Sequence, residues 1–80
     1  MNELNLGKNI VYYRRKNGLT QDQLAEYIGV SKSSVSKWEN NFTFPDIILL
    51  PQLAALFNIS VDELMGYSPP TLKRANKVTL

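Results

Sequence analysis

The 80-residue chain contains no cysteine and no histidine. A disulfide is therefore impossible, and the usual ligands of zinc and of iron–sulfur clusters are missing. A thiol nucleophile and a histidine general base are excluded in the same way. The chain also lacks a glycine-rich phosphate loop. Ser31-Lys32 and Ser36-Lys37 could suggest a catalytic serine–lysine pair, but neighbouring side chains on a helix point about 100° apart. We therefore expect no enzyme activity, no cofactor and no metal site.

Long apolar runs are missing as well. The longest run of large aliphatic residues is Ile47-Ile48-Leu49-Leu50, which Pro51 ends, whereas a membrane-spanning helix needs about 18 apolar residues or more. The polar residues Asn2, Glu3 and Asn5 stand where a signal peptide would need a basic stretch followed by an apolar run. We expect a cytoplasmic protein that does not enter a membrane.

The chain has enough residues for one small domain and too few for two. Its net charge of +2 does not by itself indicate a partner. Through Gly66 there are six basic and seven acidic residues, a net charge of −1, so the positive excess lies in Lys73, Arg74 and Lys77. The placement of charge is more informative, because four basic residues crowd positions 8 to 16.

Apolar residues recur at helical spacing in five segments, and no segment alternates with period two. The first helix should end at Asn17-Gly18, where glycine can adopt the left-handed conformation. Thr20 with Gln23 forms a capping box that predicts the start of a second helix ending at Gly29. Ser31 should cap a third helix that runs to about Asn40.

The remaining helices come after a loop at 41–45. Asp46 is the expected cap of a fourth helix, and Pro51 predicts a distorted or 3₁₀-like start. Ser60 with Glu63 forms a second capping box, so a short fifth helix should run to Met65 and stop at Gly66. Residues 1–66 are then one all-α domain, and 67–80 a linker or tail. The tail is open to three interpretations: a frayed end, a linker to a further domain, or an arm that docks on a partner.

The most specific pattern lies between Gln21 and Asn40. Two helices that meet at a tight turn need a small residue at their crossing and a residue that tolerates positive φ at the turn, and Ala25 and Gly29 supply these. The second of the two helices should send apolar residues back onto the first. Val30, Val35 and Trp38 are placed to pack in this way against Leu24 and Ile28. The set as a whole is typical of a helix-turn-helix formed by helices two and three.

Segment 19–40, LTQDQLAEYIGVSKSSVSKWEN, resembles the Cro and phage-repressor (XRE-like) helix-turn-helix family, and the likeness extends from about Leu6 to Gly66. This resemblance implies a five-helix repressor-like DNA-binding domain, dimeric on DNA, whose third helix enters the major groove. It also implies an ion pair between Arg14 and Glu39 that orients this helix. One departure is the loop after the third helix, Asn41-Phe42-Thr43-Phe44, which carries no basic residue. Phosphate contacts there would have to come from backbone amides or asparagine side chains.

Helical geometry places polar side chains of the third helix opposite its apolar face of Val35 and Trp38. Lysine can donate to guanine and serine can bond to several base edges, although a solvated polar face would have the same pattern. Gln21, at the first turn of the second helix, could hold a phosphate oxygen, or simply favour a helix start. The candidate DNA-binding residues are Gln21, Ser31, Lys32, Ser33, Ser36, Lys37 and Asn40. Lys8, Arg15 and Lys16 either add phosphate contacts or form a solvated face.

These patterns predict a sequence-specific DNA-binding regulator, most often a repressor, that acts as a homodimer on a roughly palindromic operator. The expected pairing surface is the fifth helix and the residues just after it, with Leu64, Met65 and Tyr67 as its apolar residues. The alternative is a protein-interaction module, such as an antitoxin whose tail binds a toxin.

Overall fold

The computed structural model describes residues 5–67. This part of the chain is all-α and contains five helices, which confirms the predicted fold class. They are α1 (Leu6–Lys16), α2 (Gln21–Ile28), α3 (Lys32–Glu39), α4 (Leu49–Phe57) and α5 (Val61–Met65). None of these five helices has the length and apolar character needed to cross a membrane. From residue 68 onward, the predicted tail lies outside the described residues.

The side chains predicted to cap α2 and α5 do so. The Gln23 amide donates to Thr20 Oγ1 at 3.0 Å while the Gln23 side chain accepts from the Thr20 amide at 2.9 Å. Ser60 and Glu63 form the same reciprocal pair, at 3.0 and 2.9 Å. Each box satisfies two backbone donors that a helix start would otherwise leave without partners. The starts of α2 and α5 are therefore fixed by short-range sequence.

The turn between α2 and α3 contains a left-handed residue at the predicted position. Gly29 has φ of +87°, and its amide and that of Val30 both donate to the Ala25 carbonyl, at 2.8 and 3.0 Å. Two asparagines, Asn41 and Asn58, also adopt φ of 61° where α3 and α4 end. Asparagine is one of the few residues that tolerates this conformation without glycine's freedom.

The start of α4 differs from the prediction, because Asp46 does not cap it. The Leu49 amide donates to the Asp46 backbone carbonyl at 2.8 Å, and the Leu50 amide donates to the Ile47 carbonyl at 3.3 Å. These bonds form a tight turn, and α4 begins only at Leu49, with no side-chain cap. Pro51 is then the third helical residue, where a missing N–H removes no intrahelical bond. The irregular start expected from Pro51 is present, and it displaces the helix start from Asp46.

Each helix contributes one fully buried aliphatic side chain to a single core. These side chains belong to Ile10, Leu24, Val35, Leu53 and Leu64. Leu64 is 0% exposed, so its predicted place on a dimer surface is wrong. Its side chain is needed to hold the short helix α5 against the core, since burying a leucine contributes roughly 1.5–3 kcal/mol.

Helix α1 packs very closely on the end of α3 at Gly7. A Cβ atom added to Gly7 would lie 2.5 Å from the Trp38 carbonyl oxygen and 3.0 Å from that of Glu39. Such distances are shorter than a van der Waals contact, so only glycine allows this approach. The absent side chain at Gly7 therefore sets the position of α1 relative to α3.

Candidate nucleic-acid interface

The outward side of α3 is polar. Lys32, Ser33, Lys37 and Asn40 are exposed, and Ser36 is half-buried between them. On the opposite side of the helix, Val35 and Trp38 are buried in the core. The predicted base-reading residues therefore share one accessible side of a helix whose other side is held by packing.

Two of the predicted DNA-binding residues also serve as helix caps. Ser31 Oγ accepts from the Ser34 amide at 3.1 Å and lies 3.0 Å from Ser34 Oγ. Asn40 Nδ2 donates to the Ser36 carbonyl at 2.8 Å. Both side chains are exposed, but their orientations are set in part by these bonds to α3 itself.

A hydrogen-bonded network links α1, α2 and α3. Arg14 Nε and Nη2 donate to Glu39 Oε2 and Oε1, at 2.6 and 3.2 Å, so the guanidinium and the carboxylate form a two-point ion pair. Gln21 Nε2 donates to Glu39 Oε1 at 2.8 Å. Arg14 Nη1 donates to the Leu19 carbonyl at 2.8 Å. One carboxylate at the end of α3 thus joins the first turn of α2 to α1.

This ion pair is shielded from water. Arg14 is 9% exposed, and the Glu39 side chain is 5% exposed. An exposed pair would contribute only about 0–1 kcal/mol, but removal of one partner from a buried pair leaves an uncompensated charge. The Arg14–Glu39 pair is therefore not an energetically idle surface pair.

The loop after α3 offers little to a phosphate through its first amides. The Asn41 amide donates to the Trp38 carbonyl at 3.1 Å, and those of Phe42 and Thr43 donate to the Lys37 carbonyl at 2.9 and 3.4 Å. The side chains of Phe42 and Phe44 are exposed. Of the two donor types expected in this loop, the backbone amides at 41–43 are thus already engaged, which leaves the Phe44 amide and the asparagine side chains.

A groove on the outer side of α1 was not predicted by the sequence pattern. It is open and has a volume of about 720 Å³. Its lining residues are Lys8, Val11, Tyr12, Arg15, Lys16 and Glu39. The i, i+4, i+7 spacing of Lys8, Tyr12 and Arg15 was the available signal. Only the packing of α1 on α3 shows that Glu39 closes one side of this α1 groove.

Comparison with known proteins identifies one family. The model of the helix-turn-helix family matches residues 10–64. The transcriptional regulator ImmR of Bacillus subtilis is 35% identical over 63 residues, which cover 79% of this chain and 50% of ImmR. The transcriptional activator BcrR of Enterococcus faecalis is 35% identical over 66 residues, covering 82% of this chain and 28% of BcrR. The chain thus spans half or less of the length of these two relatives.

A third relative and two solved structures give the same picture. The antitoxin PezA of Streptococcus pneumoniae is 33% identical over 61 residues, which cover 76% of this chain and 39% of PezA. The P22 c2 repressor in complex with a synthetic operator superposes with a TM-score of 0.70 at 32% identity, over 75% of this chain and 91% of the chain in that structure. The biofilm regulator SinR in complex with DNA superposes with a TM-score of 0.67 at 38% identity, over 74% of this chain and 95% of the chain in that structure.

Proposed function

The chain belongs to the helix-turn-helix family, and from this premise we propose that it is a sequence-specific DNA-binding transcriptional regulator that inserts α3 into the major groove. The observation that carries the proposal is the outward side of α3, which is polar and accessible while its other side is buried. Lys32 and Lys37 can donate to guanine O6 and N7, and the hydroxyls of Ser33 and Ser36 can bond to several base edges.

Gln21 and the first turn of α2 are proposed to hold a backbone phosphate. The N-terminal amides of a helix favour an anion, and an amide side chain beside them adds a donor. Gln21 already donates to Glu39 at 2.8 Å. The side chain proposed to hold the phosphate is therefore hydrogen-bonded to the residue that ends α3. Asn40 and Ser31, at the two ends of α3, complete the set of proposed DNA contacts.

A homodimer on a roughly palindromic operator is part of the proposal. Single DNA-binding modules bury roughly 600–1,000 Å² and bind weakly at physiological salt, whereas two copies can read half-sites about 34–36 Å apart. Since Leu64 is buried, the pairing surface needs other residues. Tyr67 is exposed, and so are four apolar residues between α3 and α4, which we call the apolar loop patch. They are Phe42, Phe44, Ile47 and Ile48.

Repression is the proposed outcome of binding, because a dimer bound across an operator can exclude other proteins from it. The similarity to the activator BcrR leaves that outcome to experiment. The similarity to PezA covers 39% of that antitoxin and supports the proposed DNA-binding domain as much as a toxin-binding function. An antitoxin would instead show binding to a protein that depends on residues 67–80.

Selection of bound duplexes from a random pool tests the proposal. We expect one enriched, roughly palindromic sequence, and an affinity that falls steeply as salt rises. Binding that is equal for all sequences would contradict sequence-specific regulation. Absence of binding to any duplex, together with tail-dependent capture of a protein, would favour the antitoxin alternative.

A further inference from the structure

The positive charges available to DNA are unevenly distributed among the described residues. Residues 5–67 contain six basic side chains, and the Arg14 charge is already matched by Glu39. Lys32 and Lys37 lie on α3, the proposed base-reading helix. The other three are Lys8, Arg15 and Lys16, all in α1. Since the loop after α3 has no cation, phosphate charge beyond α3 can be matched by this domain chiefly through α1.

These three cations surround the α1 groove together with an aromatic side chain. Tyr12 is exposed, and Lys16 Nζ lies 5.8 Å from the centre of its ring. The tyrosine hydroxyl can donate to a phosphate oxygen, and its ring offers apolar area to a sugar. Cations that line an open concave surface with such a donor suit a polyanionic strand.

The one acidic residue in the groove does not oppose an anion strongly. Both carboxylate oxygens of Glu39 accept hydrogen bonds from Arg14, and Oε1 also accepts from Gln21. The Glu39 side chain is 5% exposed. The same residue lines the groove and bonds to Gln21, so Glu39 lies next to both the groove and the proposed phosphate-binding turn of α2.

We propose that the α1 groove binds the sugar–phosphate backbone that flanks the bases read by α3. This inference rests on the proposed function and adds a second, sequence-independent surface to it. Lys8, Arg15 and Lys16 would neutralise phosphates and release counterions without reading bases, so they would set affinity and its salt dependence but not sequence preference.

The test compares two triple variants of the full 80-residue chain that lose the same charge. The first is Lys8→Gln, Arg15→Gln and Lys16→Gln, and the control is Lys73→Gln, Arg74→Gln and Lys77→Gln. Binding is measured over a range of salt on the selected operator, with duplexes that end at the operator edge and duplexes extended by about one helical turn. Circular dichroism and Trp38 fluorescence verify that each variant is folded.

For the α1 variant we expect the log–log salt slope to fall by about 2–3 for each bound copy, at about 0.9 per lost phosphate contact. The wild type should bind the extended duplex more tightly than the short one, and the α1 variant should lose this difference. The ratio of operator to scrambled-sequence affinity should stay the same.

Other outcomes separate this inference from the proposed function. If the wild type binds no DNA, the proposed function itself fails. If the wild type binds but the α1 variant keeps its salt slope and flank dependence, the inference is overturned; loss of binding to a polyglutamate peptide would then identify the groove as a site for an acidic protein. An equal fall of the slope in the tail control would also overturn it, since net charge alone would explain the change.

Discussion

At the scale of single residues, Gly7 and Gly29 are constrained by different physical requirements. Gly7 has ordinary helical geometry but no space for a side chain, because the carbonyls of Trp38 and Glu39 face it. Gly29 has open space around it but φ of +87°. A side chain at Gly7 would therefore clash with neighbouring atoms, whereas a side chain at Gly29 would strain the backbone.

Gly7→Ala should destabilise the domain by about 1–3 kcal/mol, because the added methyl group forces α1 away from α3. Helix propensity alone predicts the opposite sign, a gain of about 1 kcal/mol on replacing glycine within a helix. Urea denaturation followed by Trp38 fluorescence decides between them. A variant more stable than the wild type would show that α1 does not approach α3 this closely.

Gly29→Val should reduce stability by more than about 1 kcal/mol, because a β-branched residue strongly disfavours positive φ. Gly29→Asn is the matched variant and should cost less, since asparagine tolerates the left-handed region. Denaturant midpoints of the two variants give the comparison. Equal midpoints would mean that side-chain contacts, rather than backbone conformation, limit this position.

Lys37→Ala should reduce affinity for the selected operator by about 1–3 kcal/mol and relax preference at one base position. Gln21→Ala should weaken binding to all sequences alike, because a phosphate contact carries no sequence information. Competition with operators changed at single positions measures both effects. An unchanged preference in the Lys37 variant would leave Lys32, Ser33 and Ser36 as the candidate base-reading residues.

At the scale of elements, the Glu39 carboxylate is the point where three helices are joined. The core packs one side of α3, but apolar packing alone is compatible with small rotations about the helix axis. Hydrogen bonds from Arg14 in α1 and Gln21 in α2 are directional and remove that freedom. The network therefore suits a helix whose polar side must meet DNA at a defined angle.

Glu39→Ala should destabilise the domain by about 3–5 kcal/mol, because it leaves the buried Arg14 charge unpaired. Glu39→Gln keeps an acceptor for Arg14 and should cost less. In a double-mutant cycle, Arg14→Met with Glu39→Ala should cost less than the sum of the two single changes. Additive losses in chemical denaturation would show that the two side chains do not interact in solution.

At the scale of the whole molecule, four of the seven exposed large apolar side chains in residues 5–67 lie in the connection between α3 and α4. Ile47 is 79% exposed and Phe42 is 78% exposed. Large apolar side chains exposed on a surface usually mark an interaction site. The predicted surface at α5 is smaller than expected, since Leu64 belongs to the core and Met65 is half-buried. The apolar loop patch is the larger candidate for pairing.

Ile47→Asp should lower affinity for a two-half-site operator much more than for a single half-site, because a charge in the patch opposes pairing. Tyr27→Asp is the control, since it places the same charge on another exposed apolar position, in α2. Both variants should unfold at the wild-type midpoint. Equal losses on full and half sites would exclude the patch as the pairing surface, and Tyr67→Asp would then test the end of α5.

Local sequence determined where most helices begin and end. Capping boxes at Thr20 and Ser60, and the left-handed glycines at 29 and 66, act over three to five residues, so their spacing along the chain was sufficient. The fold class could be predicted from the same signals. The start of α4 was the exception, because the turn that leads into it from Asp46 is made of backbone bonds that no side-chain pattern marks.

Apart from the Arg14–Glu39 ion pair, which the family resemblance implied, only the tertiary structure decided contacts between residues far apart in the chain. The bond from Gln21 to Glu39 spans 18 residues, and the space at Gly7 is defined by carbonyls more than thirty residues away. The sequence shows that Leu64 is an apolar residue of a short helix, but only the packing of α5 decides that its side chain is buried rather than exposed. The α1 groove arises in the same way, since one of its lining residues, Glu39, belongs to α3. Sequence patterns report local geometry, whereas shape and accessibility depend on how the helices pack.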